Sequence, residues 1–251
     1  MPYIPHTAEE TADLLAGLGM TSTGQLFASV PEELLLDRPL DIPAGKTEME
    51  VRRAMEDIAE KNVRFRTCFR GAGAYRHYIP SVVGHVISRS EFYTAYTPYQ
   101  PEVSQGILQA IFEYQTMICE LTGMDAANAS VYDGATAAFE AIAMCLDNKR
   151  RKAVLCGAVN PQTVAVVRTW CHTAGVELAV ADTADGRTDL DALAALTDDG
   201  AACVLVQQPN FLGLLDDVAA IERIAHAKGA KLVMSCNPVS LGLLKTPGEW
   251  G

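Results

Sequence analysis

No stretch of this chain reaches the ~18 consecutive apolar residues that a membrane-spanning helix needs, so no span is expected. The amino terminus, Met1-Pro-Tyr-Ile-Pro-His6, has neither a basic segment nor an apolar core. It does not read as a signal peptide, and a cytoplasmic location is the expectation. Positive charge is also scarce: 20 Lys and Arg stand against 31 Asp and Glu, for a formal net charge of −11. Nucleic acids and anionic membranes require a basic footprint, so neither is an expected partner. Cysteine is present seven times, at positions 68, 119, 145, 156, 171, 203 and 236, but never as C-x-x-C or at zinc-ligand spacing. No metal centre is therefore expected. Most of these cysteines lie in apolar runs such as Ala153-Val-Leu-Cys156 and Ala202-Cys-Val-Leu-Val206. A thiol in such a run acts as a small hydrophobe, and all seven are expected to be reduced core residues. Internal repeats and low-complexity linkers are missing as well.

What is there is an ordinary globular composition, 49% hydrophobic and 20% charged over 251 residues, enough for one large domain or two small ones. The first part reads as helical. Thr7-Ala-Glu-Glu10 and Thr47-Glu-Met-Glu50 both have capping-box spacing, in which a threonine caps the helix and the glutamate reaches back. Between them Pro31-Glu-Glu-Leu-Leu-Leu36 starts a short helix that Arg38-Pro39 ends. This region carries little core of its own and is expected to wrap around something larger.

From Val103 to Leu121, apolar residues at Ile107, Leu108, Ile111, Tyr114, Met117, Ile118 and Leu121 recur at helical spacing, with Gly123 as the stop. Beyond it, short valine- and leucine-rich runs alternate with helical ones. The predicted strands are Ala153–Cys156, Val176–Val180, Cys203–Gln207 and Lys231–Ser235. The predicted helices are Ala135–Leu146, Pro161–Thr173, Leu190–Leu196 and Val218–Ala227. Such alternation implies βαβ crossovers and a mostly parallel sheet covered on both faces.

Two loops carry unusual chemistry. Tyr96-Thr-Pro-Tyr-Gln-Pro-Glu102 combines two phenols, an acid and two prolines, and neither Pro98 nor Pro101 fits inside a helix or a central strand. A rigid, phenol-rich loop before a long amphipathic helix suits the rim of a polar active site. The second, Phe69-Arg-Gly-Ala-Gly-Ala-Tyr-Arg-His-Tyr-Ile-Pro80, adds Arg70, Tyr75, His77 and Tyr78. A buried core role with a satisfied hydroxyl competes for each tyrosine. Gly71-Ala-Gly73 is no dinucleotide fingerprint, because the third glycine and a preceding strand are missing. His85, His172 and His226 fall on predicted helices without a partner at metal spacing and read as surface or packing residues. Asn160-Pro161 and Gln208-Pro209-Asn210 stand at strand ends, where open α/β sheets place ligands, although turn formation explains them equally well.

These two loops, with Gln115-Thr116-Met117, the stretch Thr122-Gly123-Met124-Asp125-Ala126-Ala127-Asn128-Ala129-Ser130 and Asp133-Gly134-Ala135-Thr136-Ala137-Ala138, resemble glycine decarboxylase, the P-protein of the glycine cleavage system. The likeness runs over the whole chain and is narrowest to subunit 1, the N-terminal half of the two-subunit form. It implies the large domain of a fold-type-I PLP-dependent transferase, like aspartate aminotransferase. Residues 91–251 would form that domain, incomplete at its carboxyl end, behind a helical extension with interface loops at 1–90. Relative to the family the chain lacks the rest of the large domain and the small domain, so a fragment of a longer subunit is expected.

The resemblance also places a phosphate cup at Gly134, Ala135 and Thr136, where a helix N-terminus offers free amides. Three points argue that the cup is degenerate. The strand end that should carry a carboxylate for the pyridinium nitrogen reads Met234-Ser-Cys-Asn237-Pro. Lys245 precedes the place of the cofactor lysine and lies in a Lys-Thr-Pro-Gly turn. Subunit 1 of the family does not carry that lysine. Pyridoxal 5'-phosphate is therefore expected on the partner, subunit 2. Tyr96, Tyr99, Glu102, Arg70 and His77 would reach the partner's site as catalytic residues, and Tyr75, Tyr78 and Asn160 would line the substrate cavity. The implied reaction decarboxylates glycine and passes the aminomethyl group to the lipoyl arm of H-protein. Two other readings remain open: a self-sufficient PLP-dependent decarboxylase or aminotransferase, and a scaffolding pseudoenzyme without catalytic role.

Overall fold

The computed structural model describes residues 5–36, 38–71, 73 and 75–251. Met1–Ile4 of the amino-terminal reading, Asp37, and Ala72 and Ala74 of the Phe69–Pro80 loop lie outside the described residues. The chain divides into two compact units, Met1–Phe65 and Arg66–Gly251, so residues 66–90 cluster with the second unit.

The first unit holds α1 (Ala8–Gly17), 3-10 turns at Thr23–Phe27 and Glu32–Leu34, and α2 (Glu48–Glu60). Both capping boxes form. Thr7 Oγ1 accepts the Glu10 amide at 3.2 Å while Glu10 Oε2 accepts the Thr7 amide at 2.7 Å. The same reciprocal pair joins Thr47 and Glu50 at 3.4 and 2.8 Å. The helix expected to run from Pro31 to Arg38-Pro39 is only a 3-10 turn, finished at Leu34. Leu15 is the one buried apolar side chain among the described residues of this unit. Its helices therefore owe their local order to caps rather than to a core.

In the second unit, α3 (Ser81–Ile87) and α4 (Ser90–Tyr93) lead to α5 (Gln105–Thr122), which Gly123 closes in the left-handed conformation. Then follow α6 (Gly134–Cys145), β1 (Lys152–Leu155), α7 (Pro161–Ala174), β2 (Glu177–Val180), β3 (Thr183–Ala184), β4 (Arg187–Thr188), α8 (Leu190–Leu196), β5 (Ala201–Gln208), α9 (Val218–Ala227) and β6 (Lys231–Cys236). Four strands pair in the order β2-β1-β5-β6, all parallel. The central strands β1 and β5 are buried nearly end to end, which is why they read as unbroken apolar runs. α6 packs beside α7 and α8 beside α9, and these helices pack against the sheet.

The core is the layer between: Ile142, Val154, Leu155, Val167, Leu193, Val204, Leu205 and Ile221 are all fully buried. Each such side chain contributes about 1.5–3 kcal/mol. Phe139 and Trp170 stack between α6 and α7 with centroids 5.6 Å apart. All the strands and helices expected after Gly123 are present within two residues at each end.

The hairpin β3-β4 is among the elements that the sequence reading left out, with α3, α4 and several 3-10 turns. Asp185 (φ 49°) and Gly186 (φ 75°) make a two-residue turn of the kind that suits tight hairpins. A buried polar cluster ties this hairpin to the segment after β5. Asp216 Oδ1 accepts the Thr188 amide at 2.6 Å, and its Oδ2 accepts Asn210 Nδ2 at 2.9 Å. Asn210 also donates to the Gly186 carbonyl and accepts the amides of Leu212 and Leu214. Gln208 exchanges two bonds with the Asp216 backbone.

Not every cysteine is a core residue. Cys156, Cys171 and Cys203 are buried, Cys119, Cys145 and Cys236 half-buried, and Cys68 is exposed; all seven are free. Cys68 sits in an irregular segment with no sheet or helix to pack it. Among the described residues no helix is long and apolar enough to cross a membrane.

Candidate functional site

In an open parallel sheet, ligands favour the carboxyl ends of strands where the chain reverses its direction of winding. Here that point lies between β1 and β5, and the protein fills it with its own side chain. Gln207 Oε1, at the end of β5, accepts the backbone amide of Asn160, after β1, at 2.8 Å. The open space is displaced toward β5 and β6. A cleft of about 700 Å³ is lined there by Gln207, Pro209 and Asn210 from β5 and its following loop, by Ser235 and Asn237 from the end of β6, and by Tyr75 and His77. Gln207 and Ser235 are paired neighbours in the β5–β6 register. Besides Arg76 the lining offers amides, the His77 imidazole, hydroxyls, the Cys236 thiol and apolar carbons.

Local structure explains the two asparagines. Each follows a strand, precedes a proline and caps the helix after it. Asn160 Oδ1 accepts the Gln162 amide at 2.9 Å at the start of α7, with Pro161 at the first helical position. Asn237 Oδ1 accepts the Val239 amide at 3.1 Å at the start of the 3-10 turn Pro238–Gly242. The Asn237 amide nitrogen lies 3.5 Å from His77 Nε2, so the Phe69–Pro80 loop reaches the sheet end across 160 residues of sequence.

Of the residues expected to form a site, this cleft brings together Tyr75 and His77, with Asn160 at its β1 end. Tyr96 and Tyr99 are 84% and 83% exposed and line no part of it, nor do Glu102, Arg70 and Tyr78. None of these four tyrosines is a buried core residue, which removes that alternative. Gly134, Ala135 and Thr136 also lie outside the cleft lining. Sequence reasoning missed Gln207, Ser235 and the loop-facing side of Asn237. The repeated Asn-Pro after a strand was the signal for the last.

His226 corrects another reading. It does have a carboxylate partner one helical turn back, with Glu222 Oε1 2.6 Å from its Nδ1. Still, no cluster among the described residues has the makings of a metal site. His226, from α9, borders a cavity of about 910 Å³ along β6, where Ile118, Met144 and Val233 make an apolar wall. That cavity is larger, but it lies along the β6 edge of the sheet and holds none of the residues expected to form a site.

The described residues of this cleft offer no attachment point for a covalently bound pyridoxal phosphate. Asn237 stands where the resemblance leads one to expect a carboxylate, and no lysine is among the cleft-lining residues. The Lys245 ammonium instead lies 4.6 Å from the centre of the Trp250 ring. At the N-terminus of α6, Asp133 already accepts the Thr136 amide at 2.7 Å. Hydrogen bonds from the Thr136 amide and hydroxyl hold the Asp133 carboxyl below its ordinary value. A phosphate at those amides would meet a fixed negative charge.

Known proteins agree with this architecture. The chain matches the family described as glycine cleavage system P-protein over residues 1–251. It is 50% identical over 254 residues to a probable glycine dehydrogenase (decarboxylating) subunit 1 of Syntrophomonas wolfei, covering 100% of this chain and 58% of that protein. A protein of the same description from Moorella thermoacetica is 51% identical, with 100% and 56% covered. A crystal structure of glycine decarboxylase (P-protein) in inhibitor-bound form superposes with a TM-score of 0.88 at 42% identity, over 100% of this chain and 56% of that one. A Lactobacillus brevis glutamate decarboxylase shares the fold alone, with a TM-score of 0.52 at 12% identity over 83% of this chain and 52% of that one. The chain thus spans somewhat more than half the length of these relatives, and with its parallel sheet, its two loops and its full-length match it belongs to the glycine cleavage system P-protein family.

Proposed function

We propose that this chain works as part of subunit 1 of a two-subunit glycine decarboxylase. The partner, subunit 2, holds pyridoxal 5'-phosphate covalently, and the aminomethyl product passes to the lipoyl arm of H-protein. The observation that carries this reading is the pairing of a sheet end unsuited to the cofactor with a loop that directs two phenols and a carboxylate away from its own core. When bound on the partner, the cofactor supplies an electron sink for the loss of CO2. This chain's residues bind and orient. Tyr96 and Tyr99 donate hydrogen bonds to an anionic group of substrate or cofactor and exclude water, and Arg70 pairs with the glycine carboxylate through its planar fork. Glu102 and His77 complete the set across the subunit interface, with Tyr75, Tyr78 and Asn160 shaping the cavity. The cup at Gly134–Thr136 stays empty because the Asp133 carboxylate already caps the Thr136 amide.

The test is Tyr96→Phe and Tyr99→Phe in the reconstituted two-subunit enzyme. Neither phenol donates a hydrogen bond to another described residue of this chain, so the melting temperature should stay put. Loss of a hydrogen bond to a charged group, about 1.5–3 kcal/mol, should lower glycine decarboxylation roughly ten- to a hundredfold. Full activity of both variants in an intact complex would leave the loop structural and the scaffold reading standing.

A further inference from the structure

The seven free thiols are not equivalent, and two of them meet. Cys145, the last residue of α6, is half-buried and borders the cavity of about 910 Å³ along β6. Cys203, in the central strand β5, is fully buried. α6 packs across β5 and β6, so its carboxyl end brings Cys145 against the core cluster that contains Cys203, and the Cys203 thiol donates a hydrogen bond to the Cys145 sulfur. Lys231 completes the group. It is the register partner of Cys203 across β5 and β6, so the two side chains leave the same face of the sheet, and it borders the same cavity as Cys145.

This setting divides the two thiols. The hydrogen bond from Cys203, helped by the Lys231 ammonium, holds the Cys145 thiol below its ordinary value against the opposing effect of burial. The same hydrogen bond and full burial push the Cys203 thiol up, so the proton stays on Cys203. No aspartate or glutamate is among the residues lining the cavity. Its other titratable side chains are Tyr114 from α5, His226 from α9 and Cys236 from β6, and burial pushes the Cys236 thiol up. Cys171, from α7, lies near Cys203 and is itself enclosed.

We infer that Cys145 and Cys203 form a modification site that takes a peroxide from the cavity, with Cys145 as the attacking sulfur and Cys203 as the resolving one. The Cys145 thiolate attacks one peroxide oxygen. The O–O bond breaks, hydroxide leaves and takes up a proton from solvent, and the sulfur is oxidised by two electrons to a sulfenic acid. The Cys203 sulfur then attacks that sulfur. An S–S bond forms as the S–O bond breaks, and the Cys203 proton leaves with the hydroxyl as water. Two thiols and one hydrogen peroxide thus become one disulfide and two waters, and the carboxyl end of α6 is joined to β5. Cys203 is shielded from the cavity by burial, so the oxidant meets Cys145 first.

The test uses the full-length protein containing this chain, with Cys68→Ser so that the exposed thiol does not compete. After hydrogen peroxide at pH 7, non-reducing peptide mapping should find the Cys145 and Cys203 peptides linked, with the circular dichroism unchanged. Dithiothreitol should separate them, and Cys236 should stay reduced throughout. In Cys203→Ala, the sulfenic acid at Cys145 should persist and be trapped by dimedone. It should form at least roughly threefold more slowly at pH 7 than in the parent, because a roughly tenfold loss of thiolate is only partly offset by a more nucleophilic sulfur. That difference should shrink at pH 10, where the thiolate dominates in both. Lys231→Met, which leaves the core intact, should slow Cys145 in the same direction. If Cys203→Ala does not fold, the parent mapping and Lys231→Met decide. An absence of linked peptides in the parent, oxidation of Cys236 ahead of Cys145, or a Cys145 rate at pH 7 that neither variant lowers overturns the site. None of these readouts involves glycine, so the site and the proposed function stand or fall separately.

Discussion

Replacing Asn210 by alanine tests the polar cluster that shapes one wall of the cleft. Asn210 is 1% exposed, and its side chain makes four hydrogen bonds: to the Gly186 carbonyl, to Asp216 Oδ2, and from the amides of Leu212 and Leu214. Three of these are neutral, worth about 0.5–1.5 kcal/mol each, and the one to the carboxylate about 1.5–3 kcal/mol. The gross loss is near 5 kcal/mol. Water entering from the adjoining cleft can reach part of the vacated space and restore some bonds, so a net loss of about 3 kcal/mol is expected. For a unit of this size that corresponds to a fall in melting temperature of roughly 6–12 °C. Urea unfolding followed by circular dichroism gives the free energy directly. Asp216→Asn in combination should show a coupling of about 0.5–3 kcal/mol, because the two groups share a bond. A loss under about 1 kcal/mol for Asn210→Ala, or strict additivity with Asp216→Asn, would refute the view that this cluster holds the β3–β4 hairpin to the segment after β5.

Borohydride trapping with pyridoxal phosphate and peptide mapping should find no stoichiometrically labelled lysine among residues 1–251; one specific labelled lysine would overturn the reading of this chain as unsuited to the cofactor. Acid should remove a small, assignable share of stability. The Lys152 ammonium at 2.6 Å, and then the Gly200 amide, hold the Asp198 carboxyl below its ordinary 3.8. Its contribution is therefore complete above that pH and disappears as pH falls through the lowered value in the folded protein, which urea titrations at pH 6 and pH 3 on the parent and Asp198→Asn will register as a pH-dependent difference. Alkylation under native conditions should modify Cys68 first, as it is exposed, and spare Cys156, whose thiol burial pushes up to about 12; mass spectrometry of the labelled peptides reads the order.

Much of this fold was written locally. The helix caps at Thr7 and Thr47 depend on residues three apart, and Gly123 ends α5 because glycine accepts the left-handed conformation. The parallel sheet was legible because β1 and β5 are covered on both faces and so tolerate only apolar side chains. Even the Asp185-Gly186 turn and the Glu222–His226 spacing were visible signals; two-residue strands are too short for a period, and a lone i,i+4 pair is common on any helix. The chemistry-bearing loops could be recognised by their residues, but not where they lie. That Asn237 meets His77, that Gln207 fills the crevice beside Asn160, and that Tyr75 joins the cleft while Tyr96 and Tyr99 do not were decided by the order in which the strands pair. Sequence spacing fixes what is close within a helix or a turn, where a few covalent bonds separate the groups. Contacts across 47 or 160 residues exist only once burial of the sheet has brought the strand ends into one edge, and no local pattern encodes which ends those will be.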